Sequence, residues 1–201
     1  MPGPHRTATY VWVRICLVSA LLLIPSHIAA QKDRKAEDKI KPEQFSATAI
    51  VNNNLASGAG QLLIRIKRWS SSEEREMLVS TLLENGPDAL LKSLQKTKAV
   101  GSIRTPDSLA YDLHYSRETM LAAGGRRIVL ATDRPIGFWE AANQPRTIDY
   151  PFTVIQMEIG ADGKGRGTLS YATKIKAYGD TIELENFASA PAMLTNIREE
   201  E

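Results

Sequence analysis

Apolar and polar residues alternate between explicit turns along most of this chain, and that alternation limits its fold more than any other feature. The pattern begins at Gln44, and residues 61–69 form a second segment with Leu62, Ile64 and Ile66 on one face. Seven further candidate strands follow, at residues 100–104, 109–120, 126–132, 152–159, 168–176, 181–186 and 193–198. Such a pattern predicts an α+β fold of predominantly antiparallel β structure, with a curved sheet forming a partial barrel or a sandwich.

A helical segment interrupts the strands after the second of them. Ser71 and Glu74 have the spacing of a capping box, and leucines then recur at the helical period. Residues 85–87 read Asn-Gly-Pro, where Gly86 can end one helix and Pro87 can begin another. The sequence therefore predicts one helical pair whose apolar faces pack on the sheet, although they could also bind a partner.

Residues 1–30 have the order of a secretory signal peptide. Arg6 and Arg14 precede the apolar run 15–24, and small residues follow up to Ala30. The run of ten residues is shorter than the roughly 20 that a membrane-spanning helix needs. We expect cleavage after Ala30 and a secreted or periplasmic location without a stable membrane span, the alternative being an uncleaved anchor.

Cleavage would leave two regions of different composition. Residues 31–43 are highly charged, which predicts a flexible tether, and residues 44–201 read as a single β-rich globular domain. Two of the 25 basic residues lie in the leader, so the mature chain would carry 23 basic and 23 acidic residues. This balance gives no general attraction to nucleic acid, and we expect no nucleic-acid partner.

Cysteine and histidine are nearly absent from the predicted mature chain. Cys16, the single cysteine, and two of the three histidines lie in the leader, which leaves only His114. A domain of this composition has no disulfide, no thiol nucleophile and no multi-histidine metal site. We therefore expect no cofactor and no metal site.

His114 shares one face of a predicted strand with Asp112 and Ser116, which resembles the composition of a catalytic triad. Neighbours on one face of a strand lie about 6.6 Å apart, because each residue rises about 3.3 Å. The members of a triad converge to hydrogen-bonding distance and usually come from separate segments. The three residues are therefore interpreted as the polar face of a half-exposed strand.

The best candidate for a ligand site is the segment 132–140 together with residues 146–151. Aromatic side chains beside a few charged groups could line a pocket at one end of the sheet. The predicted ligand-binding residues are Asp133, Arg134, Trp139, Glu140, Asp149 and Tyr150. The alternatives are a structural corner and, as a weaker one, a carboxylate pair of Glu140 and Asp149 acting as acid and base.

Four short segments carry a resemblance to known sequences. They are Gly-Arg-Arg-Ile at 125–128, Thr-Asp-Arg-Pro at 132–135, Asp-Tyr-Pro-Phe at 149–152 and the hairpin glycines at 163–165. In these segments the chain resembles a group of uncharacterised secreted bacterial proteins without known activity. The resemblance implies an exported bacterial domain and supplies no catalytic residue.

Three functions are compatible with these patterns. The first is an exported, non-catalytic β-domain that binds a small or apolar ligand in the concavity of its sheet, with Trp139 near the mouth. The second is an interaction or structural module that binds an envelope protein through its tether or a sheet edge. The third is a hydrolase that uses Glu140, Asp133 or Asp149. The sequence contains no strong catalytic constellation and so favours a non-catalytic function.

Overall fold

The computed structural model describes residues 41–52, 57–122, 124–136, 149–178, 181–186 and 190–200. Within these ranges the chain forms ten strands and one helical element. In chain order they are β1 (Glu43–Asn52), β2 (Ser57–Ile66), α1 (Ser72–Lys96), β3 (Gly101–Arg104), β4 (Tyr111–Leu113), β5 (Tyr115–Met120), β6 (Arg126–Thr132), β7 (Phe152–Ile159), β8 (Lys164–Tyr178), β9 (Thr181–Asn186) and β10 (Ala192–Glu200). The predicted signal peptide (1–30) and all but the end of the tether (31–43) lie outside the described residues. Glu43, the last tether residue, is already part of β1.

The strands form one antiparallel sheet that is nearly barrel-shaped. Its order is β4-β3-β2-β1-β10-β8-β7-β6-β5, with β9 paired to β8 beside this path. The strands at the two ends of the order, β4 and β5, are separated in the chain only by His114. The backbone N–H of His114 donates to the carbonyl of Ala131 in β6 (2.9 Å). One run of chain therefore joins both ends of the sheet, which confirms the predicted antiparallel, barrel-like architecture.

Alternate side chains of the strands fill the inside of the barrel. In β6, for example, Ile128 and Leu130 belong to the main buried cluster, whereas Val129 lies on the outer face. Other members come from nearly every strand of the circuit and include Phe45, Leu62, Ile64, Ile103, Leu113, Ile155, Met157, Leu169 and Ile197. Burying each large apolar side chain contributes about 1.5–3 kcal/mol, so this cluster is the principal source of stability.

Arg126 closes one end of this interior with a network of charges. Its guanidinium forms ion pairs with Glu43 in β1 (2.7 Å), Glu118 in β5 (3.1 Å) and Glu199 in β10 (2.9 Å), and its Cζ lies 5.6 Å from the centre of the Phe45 ring. Burial by itself would lower the pKa of Arg126, but hydrogen bonds to Glu43 and Glu118 and the nearby charge of Glu199 raise it. The network connects strands that are mostly not neighbours in the sheet.

The helical segment differs from the prediction in one respect. A single kinked element, α1, replaces the predicted pair of separate helices. Gly86 adopts a left-handed φ of 79° at the kink, and helical residues resume directly at Pro87 without an intervening loop. The Asn-Gly-Pro sequence therefore bends the helix where we expected it to divide it.

The start of α1 follows the sequence signal. The Ser71 hydroxyl accepts a hydrogen bond from the Glu74 backbone N–H (3.1 Å), and the Glu74 carboxylate accepts one from the Ser71 N–H (2.9 Å). This reciprocal pair is the capping box that the spacing predicts, and it satisfies two backbone donors that the helix leaves unpaired. Within the described ranges, no helix combines the length and apolarity needed to cross a membrane.

Two glycines in β8 allow close contact with β7. A Cβ atom on Gly165 would lie 2.3 Å from the carbonyl oxygen of Glu158, and one on Gly167 would lie 2.2 Å from that of Gln156. The sequence analysis began this strand at residue 168 and assigned the glycines at 163–165 to a hairpin. In the structure the turn ends before Lys164, and Gly165 and Gly167 are strand residues where a side chain would collide with the neighbouring backbone.

We expect Gly167→Ala to destabilise the protein by about 1–3 kcal/mol, because the rigid β7 backbone has to move to admit the methyl group. Gly58→Ala is the matched control in β2, since no atom lies within 4 Å of its added Cβ. Chemical denaturation of both variants measures the difference. Equal stability of the two variants would contradict the close contact between β7 and β8.

Candidate ligand-binding groove

The predicted ligand-binding residues that the structure describes form two sets of polar contacts. Asp133 and Arg134 follow β6 and contact each other, with 3.2 Å between Nε and Oδ1. Asp149 and Tyr150 precede β7, and the Tyr150 hydroxyl donates to Glu185 Oε1 (2.8 Å). Trp139 and Glu140 lie outside the described residues.

Buried contacts hold the turn after β6 in place. The backbone N–H of Ile136 donates to the hydroxyl of Thr153 (3.0 Å), and that hydroxyl donates to the Tyr171 carbonyl (2.8 Å). Ile136 and Thr153 are both buried, so this part of the segment is packed into the domain. These contacts support the structural-corner interpretation for residues 132–136.

His114 connects the barrel to the end of α1. Its Nδ1 lies 2.8 Å from the carbonyl oxygen of Thr97, the C-cap residue of α1, and its Nε2 lies 3.6 Å from Asp133 Oδ1. A carbonyl only accepts hydrogen bonds, so Nδ1 carries the proton in this contact. Both ring nitrogens face groups of the protein itself, which leaves neither directed at a substrate.

Ser116 also serves the fold. Its side chain is buried, and its hydroxyl donates to the carbonyl of Arg68 (2.9 Å). Asp112 is exposed on β4 and is paired in register with Ser102. The predicted half-exposed polar strand face is therefore not formed as expected, because Ser116 is fully buried and His114 lies between β4 and β5. Sequence spacing could not reveal the contact of His114 with Asp133, because it depends on the register between β5 and β6.

A second polar cluster joins β8, β9 and the segment before β7. Glu185 forms an ion pair with Lys176 and accepts a hydrogen bond from Tyr150. The hydrogen bond from Lys176, followed by that from Tyr150, lowers the pKa of Glu185, and the same carboxylate raises the pKa of Lys176 and of Tyr150. This cluster fixes β9 against the rest of the sheet.

An apolar groove lies on the outer face of the sheet, beneath α1. Its volume is about 320 Å³. Eleven of the fourteen lining side chains are aliphatic, namely Leu78, Val79, Leu82, Leu90 and Leu94 of α1 and Val129, Ala131, Val154, Ile175, Ile182 and Leu184 of the strands. The others are Arg75, Tyr115 and Gln156. The composition is typical of a ligand site, with apolar walls and a small number of polar groups.

The groove forms because the outer face of β6 to β8 is itself apolar. Val129 of β6 is paired with Gln156 of β7, and Ala131 with Val154, which places all four side chains on the same outer face. β9 extends this face beyond the barrel, since it continues the pairing of β8 from Thr173 onward. The leucines of α1 lie over the apolar side chains of β6 to β8, and β9 forms one side of the groove.

The groove does not lie in the concavity of the sheet, where a ligand was expected. Counting β4 and β5 as one, eight strands surround the interior, and a barrel of that size is just wide enough for side chains to fill. Phe45, Ile155 and Met157 are among the fully buried side chains that occupy it. The groove is formed on the opposite, outer face of the sheet.

Among the described side chains that line the groove, Arg75 is the only charged one. It is half-buried in the first turn of α1, and in the part of the chain that the structure describes no carboxylate forms an ion pair with its guanidinium. The adjacent Glu74 is engaged elsewhere, because it binds Arg68 through two hydrogen bonds of 2.8 and 3.0 Å. The sequence analysis singled out none of the groove residues as a binding group.

Among the described residues, no group of three or more His, Cys, Asp or Glu side chains is placed to hold a metal ion.

We expect Lys176→Met to raise the pKa of Glu185 and Tyr150→Phe to raise it by less, because Lys176 makes the stronger of the two hydrogen bonds to this carboxylate. Carbon-detected NMR titration of the Glu185 carboxyl measures both shifts. Since the folded-state pKa is lowered, the cluster stabilises the fold at neutral pH, and this contribution is lost as pH falls through the folded pKa.

Lys174→Met is the matched control for this titration. It removes the same charge from the same strand, but Lys174 acts on Glu185 only by longer-range attraction. A larger pKa change in Lys174→Met than in Lys176→Met would show that the cluster is arranged differently.

Comparison with known proteins gives no match to this chain. No protein-family model matches it. No curated protein and no solved structure is significantly similar to it. The candidate function therefore rests on the geometry of the groove.

Proposed function

We propose that this chain is an exported, non-catalytic β-domain that binds a small apolar ligand in the groove between α1 and the outer face of the sheet. The observation that carries this proposal is the groove itself, whose volume of about 320 Å³ and aliphatic lining suit a small apolar molecule. Ligand sites in proteins occupy about 300–1,000 Å³, so this volume lies at the lower end of that range. Export is supported by the N-terminal sequence pattern alone.

The exposed apolar surface of β9 also supports ligand binding in the groove. Ile182 lines the groove and yet is 48% exposed, although its neighbours Leu82 and Leu90 on α1 are buried. A ligand in the groove would cover this apolar surface, and each Å² removed from water contributes about 25 cal/mol. The preformed shape of the groove reduces the ordering that binding requires.

An interaction or structural module remains the second candidate. Within the described residues β9 pairs with β8 alone, so its other edge carries unpaired backbone groups that an envelope protein could extend. Ile50 and Met193 are also exposed and are paired across β1 and β10. These two features favour a protein partner, whereas the groove favours a small ligand.

A carboxylate hydrolase has less support from the described contacts. Asp133 is engaged by Arg134 and lies 3.6 Å from His114, and Asp149 is exposed before β7. A general acid in a hydrolase requires a carboxyl group in a desolvated cleft with a raised pKa. Neither carboxylate lines the groove.

The neutral fluorescent probe N-phenyl-1-naphthylamine tests the proposal. We expect saturable binding to the full mature chain, and we expect Val129→Phe to weaken it at least tenfold because the larger ring fills the groove. Fluorescence titration measures the affinity, and thermal unfolding verifies that the variant remains folded.

Ile50→Phe is the matched control. It introduces the same aromatic ring at an outward-facing position on β1, which does not line the groove. Absence of saturable binding, or unchanged binding by a folded Val129→Phe variant, would contradict the proposal and shift the weight to the interaction module.

A further inference from the structure

We infer that the ligand of this groove is a single-chain carboxylate amphiphile of the fatty-acid class, with its chain against the aliphatic lining and its carboxylate on Arg75. This inference rests on the proposed function and specifies the chemistry of the ligand. It begins from a charge imbalance in the groove, since the described residues that line it include one cation and no anion.

The surroundings of Arg75 indicate that the anion that pairs with its guanidinium belongs to the ligand. Arg75 is half-buried and lines the groove together with Leu78, Val79 and other aliphatic residues, and a charge that is partly removed from water without a partner is costly. Elsewhere in the described chain, arginines with comparable burial are paired. Arg68 binds Glu74, and Arg126 binds three carboxylates.

The three acidic neighbours of Arg75 on α1 do not take this role. Glu74 forms the capping box with Ser71 and binds Arg68 through both carboxylate oxygens. Glu73 lies two residues before Arg75 and Glu76 one residue after it, and residues at those spacings do not face each other on a helix. The guanidinium of Arg75 is thus available to a ligand.

Charge and volume select the class of ligand. The planar guanidinium matches a carboxylate through two parallel hydrogen bonds, and a single arginine neutralises a single negative charge. The space of about 320 Å³ fits one apolar chain better than the two chains of a membrane lipid. Tyr115 and Gln156 supply the other polar groups of the lining.

Displacement of N-phenyl-1-naphthylamine by three ligands with the same ten-carbon chain tests the inference. Decanoate, decanol and decyltrimethylammonium carry an anionic, a neutral and a cationic head group, and at pH 8 the carboxylate is ionised. We expect decanoate to bind the native chain at least tenfold more tightly than decanol, equivalent to about 1.4 kcal/mol, and decyltrimethylammonium to bind more weakly than either.

Arg75→Gln should remove the preference for decanoate and leave the affinity for decanol within threefold of the native value. Arg127→Gln is the matched control, because it also removes one positive charge from the outer face, at an exposed residue paired with Glu158 that does not line the groove. We expect Arg127→Gln to retain the preference for decanoate.

The possible failures of the two proposals are distinguishable. Equal binding of decanoate and decanol by the native chain, or an Arg75→Gln variant that keeps the preference, would overturn the carboxylate inference while the apolar groove stands. If the dye binds and none of the three ligands displaces it, the carboxylate inference is also overturned. If neither the dye nor any of the three ligands binds, both the carboxylate inference and the proposed function are overturned.

Discussion

The strand run 111–120 closes the sheet, and the remaining structure depends on that closure. Its first part pairs with β3 and its second part with β6, so the same segment completes both ends of the sheet. Closure removes the open edges of the circuit and gives the interior a fixed width that side chains fill. The interior therefore supplies stability, and the apolar groove lies on the outer face.

The same closure explains why the outer face holds the groove. β8 is longer than its partners in the barrel, and β9 pairs with the part of β8 that extends beyond β10. This extension forms an apolar surface outside the barrel, and α1 packs against that surface. His114 connects the two parts, since it lies at the junction of β4 and β5 and binds the C-cap of α1. The position of the proposed groove therefore follows from the packing of α1 on the closed sheet.

Much of the fold follows from local patterns. Alternation predicts the strands, and the spacing of Ser71 and Glu74 predicts the start of α1. The differences arise where long-range pairing overrides local preference. β2 begins at Ser57, before the predicted segment 61–69, because β1 pairs with it as far as Asn52. The kink at Gly86 depends on the sheet beneath α1, since the leucines on both sides of the kink pack against the same apolar surface.

The sequence by itself determined the antiparallel strands, the capped helix and the absence of thiol chemistry from residues 44–201, because these depend on composition and on residues a few positions apart. Tertiary structure decided the position of the groove, the pairing of His114 with Asp133 and the exposure of Arg75 to an apolar cavity. Each of these joins segments that are distant in the chain, such as α1 with β6 to β9. Their relative positions follow from strand register and sheet closure, which a local pattern does not encode.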